Sequence, residues 1–128
     1  MSGIERIEPA AVKAGGHYSP GIAAGGFVFV SGQLPITAAG EKLSDAPFEQ
    51  QARQVLANVQ AVLEAAGSGV KDLVQVRVYL DGIEHWPAFN TIYAEWAGDA
   101  KPARAVVPVP GLHFGLKLEI EAVAVARR

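Results

Sequence analysis

The chain has 128 residues, enough for one domain (1–128) with a proper core; half are hydrophobic and 19% are charged, the ordinary balance of a globular protein. A net charge of −2, with no Lys or Arg cluster ahead of the terminal Arg127-Arg128 pair, argues against a dedicated nucleic-acid binder. The absence of cysteine excludes disulfides, thiol nucleophiles and thiolate metal sites.

The opening MSGIERIEPAAVKAGG has no apolar run between charges, so no secretory leader is expected. No segment has the length needed to span a bilayer, and the expectation is a cytoplasmic protein with no membrane or nucleic-acid partner. Ile4 to Ile7 alternates as a short strand closed by Pro9. The stretch 14-AGGHYSPGIAAGG-26 reads as a Gly-rich loop. It lacks the Gly-Lys-Ser/Thr ending of a phosphate loop and opens no helix. Phe27 to Val30 reads as a buried strand that ends at Ser31-Gly32-Gln33.

Residues 36–47 form a polar loop. Ser44 or Asp45 is placed to cap the next helix, with Pro47 in its first turn. Phe48, Ala52, Val55, Leu56, Val59, Val62, Leu63 and Ala66 recur at helical spacing, and Gly67 stops the helix. Leu73 to Leu80 alternates, with Val74, Val76, Val78 and Leu80 on one face and Leu73, Gln75, Arg77 and Tyr79 on the other. Asp81-Gly82 breaks it. Trp86, Phe89, Tyr93 and Trp96 mark one side of a second helix that ends at Gly98, the tryptophans serving core or interface. A short strand around Arg104 to Val107, a Pro-Val-Pro turn and a long strand from Leu116 to Val125 complete the chain.

The order is strand, strand, helix, strand, helix, strand, strand. Two helices cannot cover both faces of such a sheet, so an α+β fold with both helices on one face is predicted. The other face carries Gln75, Arg77, Glu119 and Glu121 beside Tyr79, Val123 and Val125. It is too mixed for a core and too apolar for free solvent, which points to an oligomer.

In the final strand a period of two aligns Lys117, Glu119, Glu121, Val123 and Val125 on that mixed face. Arg104 lies on the preceding strand, and a hairpin or a subunit contact brings it toward Glu119. One reading is a structural ion pair within an interface. The other is a site for a small carboxylate: the planar guanidinium fork matches a carboxylate, and a nearby Glu holds a water or carries a proton. His17, His85 and His113 have no ligand spacing, so no metal is expected. Glu121 is expected to make a sheet-face hydrogen bond or ion pair, with Arg77 as its candidate partner.

The segments 31-SGQLP-35, 49-EQQARQVLANVQAVLEAAG-67, 90-NTIYAEW-96, 101-KPARA-105 and 118-LEIEAVAV-125 resemble the RidA/YjgF family of enamine/imine deaminases, over nearly the whole chain. The resemblance implies a chorismate-mutase-like fold, a homotrimer with a cleft at each subunit interface, and no cofactor. It implies hydrolysis of 2-imino or 2-enamino acids to a 2-keto acid and ammonia. The family's carboxylate-binding arginine falls on Arg104, assisted by the main-chain N–H of Val106. The water-positioning glutamate falls on Glu119, the cleft tyrosine on Tyr18, the small hydroxyl residue on Ser31 beside Gly32, and the cleft asparagine on Asn90. A carboxylate-binding protein without turnover is the alternative. A mutase ranks last, because only Arg77 remains as a spare cation. The chain departs from the family pattern at Gly16-His17-Tyr18-Ser19-Pro20, at Val106 and at 108-PVPGLHFG-115. These segments border the cleft, with His17, His113 and Phe114 of undetermined role.

Overall fold

Helix α1 (Phe48–Ala65) is the piece around which the rest is organised. Its stripe of Ala52, Val55, Leu56, Val59, Val62 and Leu63 is fully buried, as the three- and four-residue spacing predicts. Past Ala66, the N–H of Gly67 reaches the Glu64 carbonyl and the N–H of Ser68 reaches the Leu63 carbonyl, which satisfies the end of the helix. The computed structural model describes residues 3–127; Arg128, half of the terminal basic pair, lies outside the described residues.

The start of α1 differs from expectation. Pro47 stands at the N-cap position with no side-chain cap. Ser44 instead donates its hydroxyl to the Phe114 carbonyl at 2.7 Å, and Gln51 donates to the Ala46 carbonyl at 3.0 Å. The predicted capping by Ser44 or Asp45 is therefore replaced by a tie between two loops and an anchor from inside the helix.

Among the described residues six strands form one sheet in the order β1-β2-β3-β6-β4-β5. They are β1 (Ile4–Ile7), β2 (Gly21–Ala24), β3 (Phe27–Gln33), β4 (Leu73–Leu80), β5 (Ala103–Pro108) and β6 (Leu118–Val125). Among the described residues only β4 and β5 pair in parallel; helix α2 (Trp86–Ala97) is the crossover between them. α1 and α2 pack on one sheet face, against Val28, Val30, Val76, Val78, Leu80, Leu118, Ile120, Ala122 and Ala124. This is the predicted α+β arrangement. α2 buries Phe89 and Tyr93, while Trp96 donates its indole N–H to Gln60 at 3.1 Å and Trp86 stays exposed.

Three strand readings are corrected. β2 lies inside the expected Gly-rich loop: Gly21-Ile-Ala-Ala24 pairs with both β1 and β3. Gly21 faces α1, where an added Cβ would stand 2.5 Å from Val62 Cγ1, so the helix approaches the strand backbone directly. β3 is buried on one side only; Phe27 and Phe29 are 41% and 45% exposed on the open face. In β4 the register against β6 shifts between Leu73 and Gln75, so Val74 is an extra residue. The bulge turns Leu73 into the core and Val74 outward, reversing both predicted directions.

The face away from the helices carries Phe27, Phe29, Arg77, Tyr79, Glu119, Glu121, Val123 and Val125, as the mixed composition predicts. Among the described residues no helix is long and apolar enough to cross a membrane.

Candidate active site

On the open face β6 presents two carboxylates two residues apart, and the structure treats them differently. Glu121 accepts a hydrogen bond from the Tyr79 hydroxyl at 2.8 Å, and Arg77 Nη1 lies 3.5 Å from its other oxygen. That bond is the first cause of a raised Tyr79 pKa, because the carboxylate holds the phenol proton. Glu119 has no hydrogen-bond or ion-pair partner among the described residues. Burial lifts its pKa above the ordinary carboxylate value, Glu121 adds to the rise, and His113 pulls it back. The predicted pairing of Glu121 with Arg77 is present, with Tyr79 as the closer partner. Glu121→Gln is expected to cost about 1 kcal/mol or less in a urea titration, since both partners are part-exposed. A loss of several kcal/mol would show that the pair is a buried anchor.

A bulge shapes the approach to Glu119. Ser31 and Gly32 of β3 together oppose Glu121, because Val30 pairs with Ala122 and Gln33 with Ile120. Gly32 thereby comes against the Glu119 side chain. A Cβ on Gly32 would stand 2.5 Å from Glu119 Oε2 and 3.1 Å from its carboxyl carbon, so this position admits no side chain while the carboxylate stays put. Ser31 donates its hydroxyl to the Ser19 carbonyl at 2.6 Å, and its N–H donates to the Pro20 carbonyl at 2.9 Å. These two bonds fix the loop that carries Tyr18. The Tyr18 ring is 52% exposed, and its hydroxyl accepts from the Gly15 N–H at 3.2 Å.

Tyr18, Ser31, Gly32 and Glu119 line one cavity of about 800 Å³, together with His113 and Phe114. Its far wall is the loop after β3, held by a buried side chain of α1. Asn58 donates to the carbonyls of Leu34 and Ile36, each at 3.0 Å, and accepts from Gln54 at 2.9 Å. Gln51, two turns earlier on the same helix face, accepts the Lys117 N–H at 3.0 Å just ahead of β6. Neither residue was singled out from the sequence. The available signal was a pair of amides inside an otherwise apolar helical stripe.

Arg104, Val106 and Asn90 lie elsewhere. The parallel register sets Arg104 opposite Val76 and Val106 opposite Val78, both core-facing, so Arg104 and Val106 project from the helix side of the edge strand β5. Glu119 pairs with Tyr79 on the open side, and β4 separates β5 from β6. The hairpin route to Glu119 is thereby excluded; within one chain the cation and the carboxylate stand on opposite faces of the sheet. The Arg104 guanidinium carbon sits 4.9 Å from the Tyr93 ring centroid, and no carboxylate among the described residues pairs with it. Asn90 is half-buried one helical turn before Tyr93. Tyr93, marked in the sequence only as part of the packed side of α2, thus seats the arginine through its ring and leaves the N–H fork free.

His17 lies outside this cavity, in a shallow depression with Arg6, Glu8 and Tyr18, and His85 pairs with Asp81 at 3.0 Å while stacking on Phe48. Among the described residues no group of three His, Cys, Asp or Glu is placed to hold a metal ion.

A mixed sheet with both helices on one face and a carboxylate-bearing cleft at its end defines an α+β protein of the chorismate-mutase-like type. Comparison with known proteins narrows this. The family model described as Endoribonuclease L-PSP matches residues 8–126, and the chain belongs to that family, which is also the YjgF/RidA/RutC family. A RutC family protein of Pyrococcus horikoshii is 42% identical over 109 residues, covering 85% of this chain and 86% of its own. The crystal structure of the Escherichia coli YjgF gene product superposes with a TM-score of 0.89 at 36% identity, over 96% of this chain and 99% of that one. The E. coli TdcF structure, which carries bound serine, gives the same TM-score at 35% identity and the same coverage.

Proposed function

We propose that this chain is a hydrolytic deaminase of 2-imino and 2-enamino acids, yielding a 2-keto acid and ammonia in clefts formed between the subunits of a homotrimer. Membership of the family supports the processing of small molecules. The observation that carries the finer reading is the contrast on β6: Glu121 is engaged by Tyr79 and Arg77, while Glu119 is half-buried, unpartnered and raised in pKa at a cavity. A carboxylate so placed is suited to take a proton from water. Arg104, fixed on Tyr93 with its donors unused, is suited to hold the acid end of the substrate. That a structural relative, TdcF, carries serine favours a ligand with a carboxylate and an adjacent nitrogen.

The geometry of one chain supports a cleft shared between subunits. Arg104 and Glu119 point away from opposite faces, so a complete cleft needs the Arg104 half of one subunit against the Glu119 half of another. The open face, with Phe27, Phe29, Val123 and Val125, offers the apolar surface for that contact. Light scattering at micromolar concentration is expected to return three times the 13.4 kDa chain mass. A monomer mass would remove the shared cleft and the deaminase reading with it.

In the reaction Arg104 grips the carboxylate and sets the C=N carbon before Glu119. With the nitrogen protonated as the iminium, water adds to that electrophilic carbon as Glu119 accepts one of its protons. Glu119 returns the proton to nitrogen, the C–N bond breaks, and loss of the hydroxyl proton gives the keto acid and ammonia. An enamine first takes a proton from solvent at its β-carbon, which gives the same iminium. The direct test generates 2-iminobutanoate with an amino-acid oxidase and follows its loss against semicarbazide trapping. Accelerated loss with stoichiometric ammonia is expected. Carboxylate binding without acceleration would leave a ligand-binding protein. The family's description names an endoribonuclease, but a chain of net charge −2 offers RNA little attraction, and no cleavage of RNA is expected.

A further inference from the structure

Phe114 is the one non-glycine residue among those described whose φ is positive, at 62°, with ψ 18°. That region is disfavoured for a residue with a Cβ and is rarely occupied by an aromatic. Ordinarily such a conformation is held by packing the side chain away. Here the ring is 55% exposed. Contacts nevertheless hold it in place. Ser44, from seventy residues earlier, donates to the Phe114 carbonyl at 2.7 Å; Lys42 Nζ lies 4.7 Å from the ring centroid; the His113 ring is 5.9 Å away. The ring lines the same cavity as Glu119 and Tyr18, among Val12, Leu34 and Ile36. A backbone strained to hold an aromatic ring in the open is a feature of a binding site rather than of a core.

We propose that Phe114 is a specificity-determining residue of the Glu119 cleft, and that the favoured substrates are 2-imino acids bearing an aromatic side chain. The inference rests on the deaminase reading and deepens it. Within one chain the Glu119 half of the cleft is a cavity of about 800 Å³, open on the side that a second subunit would close, and Phe114 stands on its wall with Glu119. An aryl side chain extending from the C=N carbon at Glu119 toward that wall would meet the Phe114 ring in an offset or edge-to-face arrangement.

Titration calorimetry with phenylacetate and propanoate reads this without turnover. The intact protein is expected to prefer phenylacetate. In Phe114→Ala and Phe114→Gly the ratio of the two affinities should fall roughly five- to tenfold, the scale of a lost aromatic pair. Phe114→Tyr should keep the ratio. Phe114→Gly should also keep or raise Tm, because glycine adopts this φ without strain. An unchanged ratio in Phe114→Ala overturns the proposal. So does a fall in Tm for Phe114→Gly, which would make the ring a structural plug. Failure of both acids to bind overturns it together with the Arg104 assignment. Turnover separates the two readings. If the ratio behaves as expected but neither 2-imino-3-phenylpropanoate nor 2-iminobutanoate releases ammonia above the uncatalysed rate, the deaminase reading fails and Phe114 stands only as a selector of aryl carboxylates. If 2-iminobutanoate alone turns over, the aromatic preference is overturned and the deaminase reading stands.

Discussion

Arg104→Ala is expected to lose both ligand binding and turnover. The guanidinium has no acidic partner among the described residues, so its donors are not consumed by a salt bridge and the whole of their hydrogen-bonding capacity is open to a ligand. A charge-assisted pair with a carboxylate contributes about 1.5–3 kcal/mol, or roughly 10- to 100-fold in affinity. Turnover should fall further, by about 10³-fold, because the C=N carbon is no longer aimed at the water. Calorimetry with 2-ketobutyrate and an ammonia assay read the two effects. Arg104→Lys keeps the charge but not the fork and should fall between. Since Arg104 is exposed at a sheet edge, the variant should keep its oligomeric mass and its Tm within a degree or two. Binding of 2-ketobutyrate at full strength would show that the acid end is held elsewhere.

Glu119→Gln is expected to do the reverse: keep carboxylate binding and mass, and lose turnover by about 10²-fold, the scale of a missing general base. Glu121→Gln should leave turnover near normal, because Glu121 serves Tyr79 and Arg77. If the two results were exchanged, the roles on β6 would be exchanged as well. The pH dependence has a definite sign. Burial raises the Glu119 pKa, and only the ionised form accepts a proton, so kcat/KM should fall as pH drops through a midpoint above the ordinary carboxylate value. That limb should vanish in Glu119→Gln. Stability runs oppositely. A carboxyl whose folded pKa is raised imposes no penalty below its unfolded pKa, and the penalty grows as pH rises through the folded one. Glu119→Gln should therefore be the more stable protein at neutral pH, and the difference should close in acid. Denaturant titrations at two pH values measure it.

Much of this arrangement was legible in the chain. The spacing of Val55, Leu56, Val59, Val62 and Leu63 marks α1, and the alternation Leu118 to Val125 gives the two faces of β6, because both patterns are set by burial on one side. β2 escaped because Gly21-Ile-Ala-Ala24 is short and weak in strand propensity; its place is set by Val62 packing on the Gly21 backbone. Val74 escaped because one extra residue reverses the alternation without any mark in composition. At the site, residue type alone marks Arg104 and Glu119 as a cation and an anion of interest. Their faces depend on the parallel register of β5 and on β4 lying between, which are long-range pairings that local pattern does not encode. The ring of Tyr93 under Arg104 likewise needed the packing of α2 on β5.

The separation of Arg104 and Glu119 by a sheet has a consequence for inheritance. In the shared cleft proposed above, damage to either half would act in trans. A cell carrying one allele defective at Arg104 and another at Glu119 would build mixed assemblies, and wherever an intact half meets an intact half a working cleft is restored. Two alleles defective in the same half would restore none. Alleles of this gene should therefore sort into two complementation groups drawn by the faces of a β-sheet rather than by position along the chain.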